Sequence, residues 1–165
     1  MPEVASAIWH MVGHLQSNKA ARAVSLFEVI QSVDSGELAR RLGALARDAR
    51  DGRPLPVYLQ VNVDLDPGKA GFNAESLEQA LPALAAGRGL EIRGLMTVGR
   101  LVDHPEDARP TFRSLRELSS RLRRLEPRLG AGLSMGMSDD FEVAVEEGAT
   151  VVRIGRALFG TRIGR

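Results

Sequence analysis

The feature that most narrows the fold is an alternation. Short apolar or β-branched runs, stopped by glycine or a polar turn, are followed by longer segments with helical spacing. "AIWHMVG" (Ala7–Gly13) reads as a strand and "LFEVIQSV" (Leu26–Val33) as a second. "SGELARRLGALARDAR" (Ser35–Arg50) places Leu38, Leu42 and Leu45 on one helical face, with Ser35 positioned as its cap. "PVYLQVNVD" (Pro56–Asp64) predicts a buried strand and is followed by the polar loop "LDPGKAGFN". "AESLEQALPALAAG" (Ala74–Gly87) predicts a helix that Pro82 kinks or breaks. A strand over "LEIRGLMTVG" (Leu90–Gly99) precedes a long helix over Pro105–Glu126, with Pro110 near its start. "AGLSMG" is a short strand, Asp139–Gly148 a short helix, "TVVRI" the last strand and "RALFG" a final helical turn.

About six β-then-α units result. Such alternation calls for a parallel sheet with right-handed crossovers, hence an α/β fold. Two architectures stay open: a doubly wound sheet, or part of a (β/α)8 TIM-type barrel. No G-x-G-x-x-G run follows the early strands, so a dinucleotide site has no support. Six units are too few to close an eight-stranded barrel.

The chain of 165 residues suits a single domain, residues 1–165. It is 44% hydrophobic and 26% charged, enough apolar side chain for a core. A net charge of +1 gives no electrostatic case for nucleic acid or an acidic membrane as partner. The arginine-rich "RSLRELSSRLRRLEPRL" reads as a solvated helix face. Cysteine is absent, which excludes disulfides, thiolate catalysis and Cys-ligated zinc. His10, His14 and His104 lack metal-ligand spacing. No apolar run approaches the roughly 20 residues of a membrane span. "MPEVASAIWHMVGH" has no signal-like block, so the expected location is cytoplasmic.

Chemistry concentrates at the exits of the last two strands, "SMGMS" and "RIGRA". Gly155 ends a strand where a helical turn begins, and a glycine there admits a ligand close to the backbone. The amides of Gly155, Arg156 and Ala157 open that turn and form a candidate anion site. Ser134 and Ser138 are placed to add hydroxyl donors; ordinary turn chemistry explains the same residues. Asp139 and Asp140 read as helix-start acids, with Ser138 or Asp139 as the cap. Arg153 lies in "VVRI", where period two turns it opposite to Val152 and Ile154. It is either an inward cation that needs a partner, or an outward one pairing with a glutamate such as Glu147.

"SMGMSDDFEVAVEEGATVVRIGRALFG" resembles the C-terminal motif of the pyridoxal phosphate homeostasis proteins. Four earlier stretches match in order: "WHMVGHLQSNKA" (Trp9–Ala20), "QSVDSGELARRL" (Gln31–Leu42), "VYLQVNVDLDPGKAGF" (Val57–Phe72) and "IRGLMTVGRL" (Ile92–Leu101). That family resembles the N-terminal barrel of alanine racemase and binds pyridoxal 5′-phosphate (PLP) in fold-type III manner. The resemblance implies that Ser134 and the turn through Met135, Gly136 and Ser138 lie by the PLP phosphate. The Gly155 and Arg156 backbone would hold the same phosphate, Arg153 would face the pyridine nitrogen, and the "GHLQSNK" loop would lie near the cofactor mouth. It implies a non-catalytic role in intracellular PLP homeostasis and a monomeric full-length protein.

Family members carry a Schiff-base lysine on a strand earlier than any matched here. The expectation is therefore an N-terminally truncated barrel lacking its first two units. Lys19 and Lys69 do not match the Schiff-base position, so PLP would be held weakly and without a covalent bond, with Lys69 solvated in its loop. The outer strands would present open edges that favour self-association. The alternatives are a racemase- or decarboxylase-like enzyme of the same fold type, or an unrelated phosphate-binding barrel enzyme. Neither a second domain nor a cluster of catalytic groups supports them. The sole tyrosine, Tyr58, reads as core.

Overall fold

The computed structural model describes residues 7–160. Six parallel strands form one sheet: β1 (His10–Met11), β2 (Val29–Val33), β3 (Leu55–Gln60), β4 (Leu90–Met96), β5 (Gly132–Met137) and β6 (Val151–Arg153). Between and after them lie α1 (Ala20–Leu26), α2 (Gly36–Ala49), α3 (Ala74–Ala86), α4 (Arg109–Leu125), α5 (Phe141–Glu146) and α6 (Arg156–Phe159). Spatial order equals chain order. Each crossover therefore steps the same way and every helix falls on one face, the barrel pattern. A doubly wound sheet would reverse its order part-way. The result is a curled part of a (β/α)8-type barrel. Among the described residues β1 pairs only with β2 and β6 only with β5, so both outer edges are open.

The helix-facing side of the sheet supplies most of the core. Ile30, Val57, Leu59, Leu95, Leu133 and Met135 pack there against Leu42, Leu77, Leu81, Phe112, Leu115 and Leu122, all nearly inaccessible. Strand alternation sends other side chains to the concave face, where Val29, Tyr58 and Met96 form a second cluster. Tyr58 is core, as its place in a strand implied.

Several local expectations need correction. The first strand is paired only over His10–Met11, not Ala7–Gly13. The second begins at Val29, because Leu26 closes α1 and Phe27 caps it. Ser35 does cap α2, accepting from the Leu38 amide at 3.2 Å. Helix α3 runs through Pro82 without ending, held by buried Leu77, Leu81 and Leu84. The long helix opens as a 3₁₀ turn over Pro105–Ala108, and Pro110 lies in the first turn of α4, where its missing N–H costs nothing. Neither Ser138 nor Asp139 caps α5. Asp140 holds that position, and its carboxylate accepts from the Met137 amide at 2.6 Å, closing the turn out of β5.

Candidate functional site

The concave face carries a polar chain that crosses it from edge to edge. Arg153 ends β6 facing inward, as Val151 does two residues earlier. Its Nη2 donates to the Thr97 carbonyl at 2.7 Å and its Nη1 to Ser134 Oγ at 2.9 Å. Ser134 Oγ donates to Gln31 Oε1 at 2.6 Å, and Gln31 Nε2 lies 2.7 Å from His10 Nδ1. Strands β2 and β5 are not neighbours in the sheet, so the Gln31–Ser134 bond is a strut across the curl. Burial pushes Arg153 below its usual value, opposed by Asp140. Arginine starts so high that the group remains a cation. Pairing of Arg153 with Glu147 does not occur. Glu147 is buried and instead receives Arg109, Arg113 and Arg116 from α4 at 3.2, 3.0 and 3.0 Å. Those bridges tie α4 to α5 and withdraw part of the arginine-rich face from solvent.

Strand alternation turns Ser134 of β5 inward while Leu133 and Met135 pack into the helix-facing core, and a register shift follows between Ser134 and Met137. Gly136 sits at φ +91°, and a Cβ there would lie 2.5 Å from the Ala144 side chain. Met135 and Gly136 thus shape the strand exit through the backbone. Ser134 is fully buried and grouped with Arg153, whereas Ser138 lies at the mouth. Ser138 Oγ accepts from the amides of Gly155 and Ala157, both at 3.3 Å. The Arg156 side chain turns away to bind Asp139.

This arrangement suits an anionic ligand with a ring acceptor. Two amides share one distant hydroxyl, which a phosphate oxygen would outcompete as acceptor. A Cβ on Gly155 would meet no atom within 4 Å, so the backbone there is open to close approach. Arg153 uses two of its five N–H donors and keeps the others for an incoming acceptor.

Lys69 departs from its expected solvation. Its Nζ donates to the Gly99 carbonyl at 2.8 Å and to that of Val98 at 3.4 Å, with Asp66 3.6 Å away. Arg153 and Lys69 thereby grip consecutive residues of the β4 exit, Thr97–Gly99. Beside them Gly13, His14, Asn62, Lys69 and Val98 line a cavity of about 270 Å³. In the "GHLQSNK" loop, Ser17–Lys19 forms a 3₁₀ turn, and the Asn18 side chain caps nothing.

Sequence reasoning did not single out Gln31, Thr97 or His10. One signal was available: Gln31 and Ser32 are polar within "VIQSV", a strand buried at every position. A buried amide needs a partner, and Ser134 supplies it.

Comparison with known proteins is consistent with this geometry. The model of the alanine racemase N-terminal domain family matches residues 3–163. The pyridoxal phosphate homeostasis protein of Aquifex aeolicus is 40% identical over 93% of the chain and 67% of its own length. That of Synechocystis is 38% identical over 94% of the chain and 70% of its own length.

The chain belongs to the pyridoxal phosphate homeostasis family.

It spans 61% to 70% of the length of such curated relatives. Among solved structures, PipY of Synechococcus elongatus with PLP bound superposes with a TM-score of 0.87 at 40% identity, covering 96% of this chain and 73% of that one. Alanine racemase of Clostridium difficile, at 15% identity, has a TM-score of 0.75 and shares the fold alone. No helix among the described residues is long and apolar enough to cross a membrane.

Proposed function

We propose that this chain is a single PLP-recognition unit serving cytoplasmic PLP homeostasis without catalysing a reaction on the cofactor. The phosphate would lie over the amides of Gly155, Arg156 and Ala157 beside Ser138, and the ring nitrogen would accept from Arg153. The observation that carries the reading is the inward Arg153, held by Thr97 and Ser134 one residue-pair before the open Gly155 turn. The PLP-bound homologue supports the choice of ligand.

PLP bound here supplies an electron-withdrawing pyridine ring and an aldehyde. The protein supplies position. A guanidinium can donate a hydrogen bond to the ring nitrogen but yields no proton to it, so the ring is recognised without being activated as an electron sink.

The test is titration of PLP by absorbance and calorimetry into the wild type and a Gly155→Val variant. Because the Gly155 Cβ position is open, the variant should melt within about 1 °C of wild type, as surface changes do, and yet lose PLP and inorganic phosphate binding. Unchanged PLP affinity in a folded Gly155→Val protein would remove the phosphate from this turn.

A further inference from the structure

The polar chain on the concave face joins Arg153 of β6, Ser134 of β5, Gln31 of β2 and His10 of β1 end to end. Its direction is set by the arginine, which only donates. Ser134 Oγ accepts from Arg153 and sends its own proton to Gln31 Oε1. That fixes the Gln31 amide with Nε2 toward His10, whose Nδ1 must then hold a lone pair and whose Nε2 carries the proton.

One other arrangement satisfies His10 and Gln31 at the expense of Ser134. With the Gln31 amide turned over, Oε1 accepts from a protonated Nδ1 of His10 and Nε2 donates to Ser134. The serine then faces two donors, and its hydroxyl proton has no acceptor at a fully inaccessible position. A proton on His10 Nδ1 therefore selects the arrangement in which Ser134 holds Arg153 less well. We infer that His10 and Gln31 are positioning residues for Arg153, and that the charge state of His10 sets how firmly the guanidinium is presented to a ring acceptor.

The surroundings of His10 favour the neutral form. Burial acts first, followed by Arg93 on β4. Glu28, ahead of β2, opposes them and also accepts from the Trp9 amide at 2.7 Å. Arg153 reaches His10 only through the chain. The firm arrangement thus prevails at neutral pH and yields on acidification, below the ordinary histidine range.

This inference rests on the reading of Arg153 as the ring contact, but its first test needs no ligand. Histidine ¹⁵N and ¹H resonances of the ligand-free protein should show His10 as the Nε2–H tautomer at pH 8. Ser134 does not touch His10, yet Ser134→Ala should raise the His10 pKa by about 0.7 unit, the worth of one ordinary hydrogen bond. Ser134→Thr, which keeps the hydroxyl, should return the wild-type value. An Nδ1–H tautomer, or a His10 pKa unmoved by Ser134→Ala, overturns the chain. With PLP as probe, Ser134→Ala should bind about fivefold more weakly while inorganic phosphate binds as before, a loss on the order of one hydrogen bond. Equal PLP affinity overturns the positioning role. Absence of PLP binding in the wild type, with the His10 shift intact, counts instead against the ring assignment.

Discussion

Replacing Arg153 by methionine separates the structural role of the guanidinium from its role toward a ligand. The methionine fills the space of the aliphatic stem and removes both donors. The Thr97 carbonyl then loses its 2.7 Å partner in a residue only 1% exposed. An orphaned buried acceptor costs about 1–3 kcal/mol. Ser134 loses one donor but keeps its bond to Gln31. Against this, the variant no longer holds a cation where burial disfavours it. The two effects oppose, and the net destabilisation expected is about 1 kcal/mol. For a chain of this length that lowers the melting temperature by about 2–4 °C.

The ligand readout differs in kind. Losing a charge-assisted hydrogen bond to the ring nitrogen, worth about 1.5 kcal/mol, weakens PLP roughly tenfold. Inorganic phosphate, which in the proposed site would touch only the Gly155 turn, should bind the variant as it binds wild type. Thermal unfolding checks the first figure, and competition between PLP and phosphate followed by calorimetry checks the second. If both ligands weaken by the same factor, Arg153 acts on the phosphate or on the fold, and its assignment to the ring is refuted.

Three further outcomes follow from the same structure. Gly94→Ala drives a Cβ into the Gly132 carbonyl, where β4 and β5 pair, and should destabilise by about 3 kcal/mol in urea unfolding; an unchanged midpoint would contradict the pairing. The Arg113 hydrogen bond holds the Glu147 carboxyl below the usual range, so its contribution is complete above the unfolded carboxylate value of about 4.3 and fades as pH falls through the folded value. Wild-type stability should drop in that acid window more steeply than that of Glu147→Gln, and parallel curves would rule the clamp out. Sedimentation velocity should detect concentration-dependent self-association through the open edges, beside which Trp9 is 60% and Phe159 87% exposed; a monomer at every concentration would show the edges to be inert.

Alternation of apolar period made the α/β class and the strand count legible, because each buried parallel strand needs a continuous β-branched run and each helix a stripe. Chain order of the strands was not legible, since no local pattern encodes which neighbour a strand chooses. At the site, "RIGRA" made the Gly155 turn and its helix-start amides legible because both are local features. The Gln31–Ser134 contact joins residues 103 positions apart, and nothing near either one forecasts the curl that brings them together. The bound position of Lys69 was not legible for a related reason. Its loop is polar, but the carbonyls it binds belong to the exit of another strand.

In the proposed site, an arginine facing the ring nitrogen would recognise the PLP ring without promoting its chemistry. Catalysis on a pyridine ring needs negative charge drawn toward the ring nitrogen, which a proton on that nitrogen strengthens. A carboxylate partner would favour the protonated nitrogen. A guanidinium excludes it, because a permanent donor facing a second donor leaves both unsatisfied in a partly buried place. The surrounding bonds reinforce that exclusion: Thr97 and Ser134 hold the guanidinium from one side, and neither can move a proton through it. Under the proposed reading these residues would seat ring and phosphate by hydrogen bonds and leave the ring nitrogen without a proton.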